Sequence, residues 1–256
     1  MSDYTKNIWN SYADRSILSV ATARTYKKTA QFLQGVHVNA PMILLDGALI
    51  ATMDKKIIDT KFVTKEAGNT IIEEGAKLGI YPFVLSLVDD ELNEAFSYST
   101  TLNSYQSEII KRYVNDDHTQ VFENLRAMQN NFKIVYMGDK ALLRELEKNL
   151  RAVFGEELKY ILAPEAYMGC YFLTLLHKDA DKSHGIQSVS EAAGFDLKRL
   201  TVFGDNFNDI GMFRLAKTSV AVANAQKEVK ECADIVLKHT NDEDGVAKYL
   251  QEISNA

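Results

Sequence analysis

Thr201-Val202-Phe203-Gly204-Asp205-Asn206-Phe207-Asn208-Asp209 reads as a short apolar strand that stops at a glycine and turns at once into an acid-rich loop. In an open α/β sheet, ligands bind outside the carboxyl ends of the strands, which is where Asp205 falls. Asn208 and Asp209 then begin the next helix. Two carboxylates and an amide within residues 205–209 can hold a hard divalent cation through oxygen and water. The helix start adds backbone donors for an anion. The same stretch also reads as a polar turn that caps a helix. A calcium EF-hand loop is excluded, because Phe207 and Ile210 stand where a ligand and a glycine are needed.

Outward from this stretch the apolar pattern alternates between short buried runs and helix-period segments. Downstream come strand 219–222, helix 226–233, strand 235–237 and a last helix to about 253; upstream a helix runs from Lys182 to about Ala193. The amino end starts the same way, with a helix over 4–13, a buried strand at 17–21, a helix over 26–33 and a buried strand at 42–45. Between lies a stretch of different character. A hairpin turn at 53–56 joins 49–52 to 56–60. Helices are expected at 65–78, 104–114 and 141–154, and strands at 82–87, 132–137, 158–162 and 171–176. The expected fold is α/β: a doubly wound, Rossmann-like parallel-sheet core made of 1–50 and 178–256, interrupted by an inserted α+β domain at 51–177.

Two further positions join the first. Lys182, in Asp181-Lys182-Ser183-His184-Gly185, opens a helix after the inserted domain. There it can place a point charge on an anion, or be an ordinary solvated first-turn lysine. Thr22 ends the 17–21 strand. Its hydroxyl and the following amide of Ala23 can hold an anionic oxygen, or the threonine can simply finish a strand.

Composition narrows the partners. A hydrophobic fraction of 46% with 25% charged residues is that of an ordinary globular protein, and the net charge of −6 offers no basic surface for nucleic acid. No apolar run has the roughly 20 residues needed to span a bilayer. The two cysteines, Cys170 and Cys232, do not form a metal motif. A cytoplasmic protein, a monomer or weak homodimer, is the expectation.

The order hydroxyl, insertion, lysine, then Gly-Asp-x-x-Asn-Asp resembles the haloacid dehalogenase superfamily, in its Cof-like group with a large type IIB cap. Ala21-Thr22-Ala23-Arg24 is similar to the family's Ala-Thr-Gly-Arg. Leu45-Asp46-Gly47-Ala48-Leu49-Ile50 is similar to its Asn-Gly-Ala-Leu-Ile before the cap. Ala223-Asn224-Ala225, Val229-Lys230-Glu231-Cys232-Ala233-Asp234 and Asn241-Asp242-Glu243-Asp244-Gly245-Val246 match its tail. The resemblance implies a Mg²⁺-dependent phosphatase for small phosphorylated metabolites, working through an aspartyl-phosphate under a cap. Thr22, Ala23, Lys182 and Asn208 would hold the phosphoryl group, Asp205 and Asp209 the metal, with Thr22, Lys182 and Asp205 in the catalytic set. Tyr98, Tyr167 and Tyr171 of the cap are expected to pack in its core.

The family's Asp-x-Asp-Gly-Thr strand, which carries the nucleophile, does not occur before Thr22. In Ile43-Leu44-Leu45-Asp46-Gly47-Ala48 the attacking position would be Leu44, so that stretch is no substitute. The expectation is an amino-terminally incomplete chain, inactive as written and lacking the sheet's first central strand. The neighbours of that strand would then stand about 10 Å apart instead of about 4.8 Å. The alternative is a non-catalytic module that binds phosphate and metal. A dinucleotide-binding protein is disfavoured, because no Gly-x-Gly-x-x-Gly follows the first strand.

Overall fold

The computed structural model describes residues 1–111, 118–165 and 167–254. In chain order the elements are α1 (Asp3–Ala13), α2 (Tyr26–Phe32), β1 (Met42–Leu44), β2 (Leu49–Ala51), β3 (Ile57–Thr60), β4 (Val63–Thr64), α3 (Lys65–Lys77), β5 (Phe83–Leu87), β6 (Glu94–Ser99), α4 (Ser104–Ile110), β7 (Thr119–Phe122), β8 (Asn130–Gly138), α5 (Lys140–Phe154), β9 (Leu158–Glu165) and β10 (Cys170–His177). They continue with α6 (Lys182–Ala193), β11 (Thr201–Gly204), α7 (Ile210–Leu215), β12 (Thr218–Ala221), α8 (Lys227–Glu231), β13 (Ile235–Val236) and α9 (Gly245–Ser254). The chain divides into two compact units, Met1–Thr60 with the residues from Asp181 onward, and Lys61–Ala180. Strand β3 stays with the first unit because it pairs with β2 through Leu49↔Thr60 and Ile50↔Asp59.

The first unit is α/β and holds two three-stranded sheets. One is parallel, in the order β11-β12-β13; the other is the antiparallel meander β1-β2-β3. Their apolar faces share one cluster with α6 and α7, built on Ile43, Ile50, Ile186, Val202, Val220 and Phe213. Buried backbone groups need partners, and the two sheets meet that need unequally. The expected strand at 17–21 shrinks to a single parallel bridge, Ala21↔Ile43. Ile43 N donates to Val20 O and Thr22 N donates to Ile43 O, each at 2.8 Å. That pairing is one-sided, and Ile17 is 48% exposed where a buried strand was expected. β11 is likewise an edge strand, paired only with β12 among the described residues, and its Thr201 is exposed. The physical reason is shared: each segment has a ladder on one edge and none on the other. The run at 42–45 also departs from the parallel expectation, since β1 runs antiparallel to β2.

Helix ends explain the placement of the chain. α1 is capped by Ser2, whose Oγ accepts from Thr5 N at 3.0 Å. It is tied to the carboxyl end by Ser2 and Thr5 hydroxyls donating to Asp244, which holds that carboxyl below its ordinary pKa. α6 starts at Asp181, whose Oδ1 accepts from His184 N at 2.9 Å, and ends at Gly194 with φ +70°. His184 Nε2 and the Ser188 hydroxyl both reach Asp59 Oδ2, at 2.7 and 3.2 Å, tying α6 to β3.

The second unit has a seven-stranded sheet among the described residues, in the order β7-β6-β5-β8-β10-β9, with β4 also on β8. Helices α3 and α5 cover one face through Ile71, Ile72, Leu143, Leu146 and Leu150. Phe83, Tyr98, Met137 and Cys170 build the opposite face, where Tyr105 and Ile109 of α4 pack. Strands β6 and β7 have no counterpart in the sequence reading: Glu94-Ala95-Phe96-Ser97-Tyr98-Ser99 is polar at the serines, two of which are nonetheless buried. The expected helix 104–114 is seen to Ile110; its end falls partly on 112–117, outside the described residues. Tyr98 is a core residue, and Tyr171 lies partly buried beneath Lys140, whose Nζ is 5.1 Å from the ring centroid. Tyr167 corrects the expectation: on the turn between β9 and β10 it is 92% exposed, because a hairpin tip has no second layer to pack against. No helix of the described residues is long and apolar enough to cross a membrane.

Gly185 sets the distance between α6 and β1, since a Cβ there would stand 2.5 Å from Ile43 Cγ2. Gly185→Ala is expected to cost about 1–3 kcal/mol, read from the urea midpoint. Ile43→Ala in the same chain should recover part of that loss in a double-mutant cycle.

Candidate active site

The site is built at the carboxyl ends of β11 and of the segment before Thr22. Its centre is a buried ion pair. Lys182 Nζ donates to Asp209 Oδ1 at 2.6 Å, and the two side chains are 7% and 4% exposed. Charges are tolerated at such depth only when paired and hydrogen-bonded. Asp209 meets that condition fully, because its Oδ2 accepts from Asp205 N at 2.9 Å and Asn206 N at 3.1 Å. Gly204 makes the arrangement possible: a Cβ there would stand 2.6 Å from Asp209 Cβ. The lysine is therefore not a solvated first-turn residue.

The capping reading and the ligand reading divide 205–209 between them. Asn206 and Asp209 form a capping box on the turn 207–209. Asp205 and Asn208 are exposed. The Asp205 carboxyl titrates above its ordinary value, first through desolvation and then through the Asp209 charge, with Lys182 pulling the other way. Lys182 and Asp205 are thus electrostatic neighbours. Asp209, expected as a metal ligand, has both oxygens engaged by Lys182 and the two amides, which makes it the holder of the loop and of the lysine.

A second turn joins the first. Asp46 N donates to Thr22 O at 3.1 Å, and Leu45 N donates to Arg24 O at 3.1 Å. Asn208 Nδ2 donates to Asp46 Oδ1 at 2.8 Å. The structure thus links Asn208 to Thr22 through Asp46, and Lys182 to Asp205 through Asp209. Ala23 is exposed beside Thr22, whose Oγ1 accepts from Arg24 N at 3.2 Å. Asp46 is the site residue that the sequence reading treated only as a motif counterpart; its acid in place of an amide was the available signal.

The donor set bears on a metal. Asp205 offers hard carboxylate oxygens, of the type that suits Mg²⁺, and its carboxyl is raised first by desolvation and then by the Asp209 charge. Among the described residues, no group of three or more His, Cys, Asp or Glu side chains is arranged to hold an ion. The residues fit a Mg²⁺ that keeps water or substrate oxygens as most of its ligands, and they do not form a closed protein cage.

Two measurements test this geometry. Lys182→Ala leaves a buried carboxylate without its counter-charge, and the first unit should lose about 3–5 kcal/mol in urea unfolding. For Asp205 the sign is opposite. A carboxyl with a raised folded pKa costs stability above that pKa, so Asp205→Asn should raise Tm at neutral pH in EDTA. Added Mg²⁺ should raise the Tm of the parent and leave that of Asp205→Asn unmoved in differential scanning calorimetry.

Known proteins share this fold. A Mycoplasma pneumoniae relative is 32% identical over 126 residues, 49% of this chain and 42% of its own, so this chain spans less than half of that relative's length. The Bacillus subtilis 5-amino-6-(5-phospho-D-ribitylamino)uracil phosphatase YwtE is 22% identical over 252 residues, covering 93% of this chain and 86% of YwtE. The solved structure of TM0651 from Thermotoga maritima superposes with a TM-score of 0.80 at 23% identity, over 98% of this chain and 90% of that one, which speaks for the fold. The haloacid dehalogenase-like hydrolase family matches residues 1–250, and with a lysine buried against the acid of its Gly-Asp loop the chain belongs to that family.

Proposed function

We propose that the chain carries the phosphate-holding and cation-holding part of a Mg²⁺-dependent phosphomonoesterase centre for a small phosphorylated metabolite. The observation that supports it most is the buried Lys182–Asp209 pair after β11, which fixes a positive charge on the loop that carries Asp205 and Asn208. Lys182 supplies the charge from a position that Asp209 pins. The Thr22 hydroxyl, the Ala23 amide and the Asn208 amide offer donors to phosphoryl oxygens. Asp205 is the carboxylate placed to hold Mg²⁺, which when bound neutralises charge on the phosphoryl group. Attack on phosphorus needs a carboxylate nucleophile, and the sequence holds no Asp-x-Asp-Gly-Thr. A second reading is a module that binds phosphate and metal without turnover. We propose work in the cytoplasm, as a monomer or weak homodimer. YwtE's name specifies a phosphorylated ribityl compound for that protein; for this chain we propose the class and no particular substrate.

The test is p-nitrophenyl phosphate hydrolysis with Mg²⁺, comparing this chain with a form extended at its amino end by an apolar strand ending Asp-x-Asp-Gly-Thr. Turnover in the extended form, falling at least about a hundredfold with Lys182→Ala, supports the phosphatase reading. Phosphate binding by both forms without turnover in either supports the binding module. No phosphate binding by either form overturns both.

A further inference from the structure

Asp46 brings an acidic side chain to the turn before β2, where it meets Asn208. The turn that carries it is locked. Leu45, Asp46 and Gly47 all have positive φ, +51°, +59° and +96°. For a leucine this is a conformation that persists only when its surroundings impose it. The surroundings are specific. Leu45 N and Asp46 N are held by Arg24 O and Thr22 O, and Ala48 N closes the turn on Leu45 O at 3.2 Å. Gly47 lies against Asp181, whose backbone O would be 2.1 Å from a Cβ at that position. The Asp46 backbone is thereby held between the phosphate-side threonine and the start of α6.

The backbone of Asn208 is anchored by the residue after it, Asp209, buried against Lys182, while its side chain is exposed. The 2.8 Å bond from Asn208 Nδ2 to Asp46 Oδ1 joins the two turns. It engages one of the two N–H donors of the amide that the proposed function gives to a phosphoryl oxygen. It also brings a third carboxylate to a site that already has Asp205 and Asp209, with Lys182 already committed to Asp209. An arriving phosphate dianion must share Asn208 with a negative group.

We propose that Asp46 is an internal competitor for the anion: its carboxylate stands in for a phosphoryl oxygen on Asn208 and sets a weak hold on phosphate, favouring release of the anion over its retention. The inference rests on the anion-binding reading of the site and adds to it a residue that sets affinity downward.

Inorganic phosphate is the probe, measured by isothermal titration calorimetry on the whole chain. Asp46→Asn keeps the shape and suits φ +59°, and Asp46→Gly removes the side chain at a φ that glycine adopts freely. Circular dichroism and Tm confirm that both variants are folded. Both variants should bind phosphate about tenfold more tightly than the parent, the scale of one nearby unit charge. Lys182→Met should bind least. Affinity that is unchanged or weaker in both Asp46 variants overturns the proposal, since a residue that merely positions Asn208 would lose affinity when removed. Tightening in Asp46→Asn alone also overturns it, because charge removal is common to both variants. If neither parent nor variants bind phosphate, the anion-binding reading itself falls, an outcome distinct from equal binding by all.

Discussion

The ammonium of Lys182 and the carboxylate of Asp209 meet inside the protein at 2.6 Å, and most of the site's geometry follows from what it takes to keep them there. A buried ion pair is not a cheap source of stability, because desolvation offsets much of the attraction. Its value here is positional. Asp209 closes the loop after β11 by accepting the amides of Asp205 and Asn206, and it leaves Lys182 a single orientation. Gly204 is needed for the approach, and Gly211 lets α7 come close to α6, since a Cβ there would stand 2.1 Å from Ser183 Oγ. The pair thus fixes the start of α6 relative to the loop after β11, joining by charge two residues that stand 27 apart in sequence.

The sheets on either side have a different character from the site they support. β11 and the segment before Thr22 end at the candidate site, yet among the described residues each is laddered on one edge alone. Backbone groups on the other edges gain nothing from the sheet, which is why 17–20 form no strand and Ile17 stays exposed. The site survives because it is tied across its top by side chains: Asn208 to Asp46, Lys182 to Asp209, and the backbone of Asp46 to Thr22. Its order therefore depends more on polar contacts than is usual for the end of a parallel sheet.

Much of this was legible in the sequence, for identifiable reasons. Strands β1, β8, β10 and β12 are apolar runs bounded by breakers, and α3, α5 and α6 have helical periodicity with clear caps, so local chemistry and tertiary structure agree. The convergence of Lys182 with Gly204–Asp209 was legible through motif order. The engagement of Asp209 was not, since spacing cannot tell a carboxylate that holds a metal from one that holds a lysine and two amides. β6 escaped because buried serines, among them Ser97 and Ser99, mimic a loop composition. The 17–21 run was misread in the opposite direction, because apolar residues declare a strand but cannot declare whether both of its edges find partners.

The electrostatic balance of the site carries the argument furthest. Three carboxylates, Asp46, Asp205 and Asp209, belong to a site whose ammonium is already paired with Asp209, and the Asp205 carboxyl is raised first by desolvation and then by the Asp209 charge. A site that bound a phosphate anion by direct attraction alone would not be built this way. The excess is better suited to a site in which a divalent cation and an anion arrive together, each reducing the cost of the other. On that view Asp205 draws the cation, Lys182 and Thr22 meet the anion, and Asp46 limits how long the anion stays. The same three acids that make the empty site unfavourable would make the doubly occupied one selective, because neither ion alone relieves the charge.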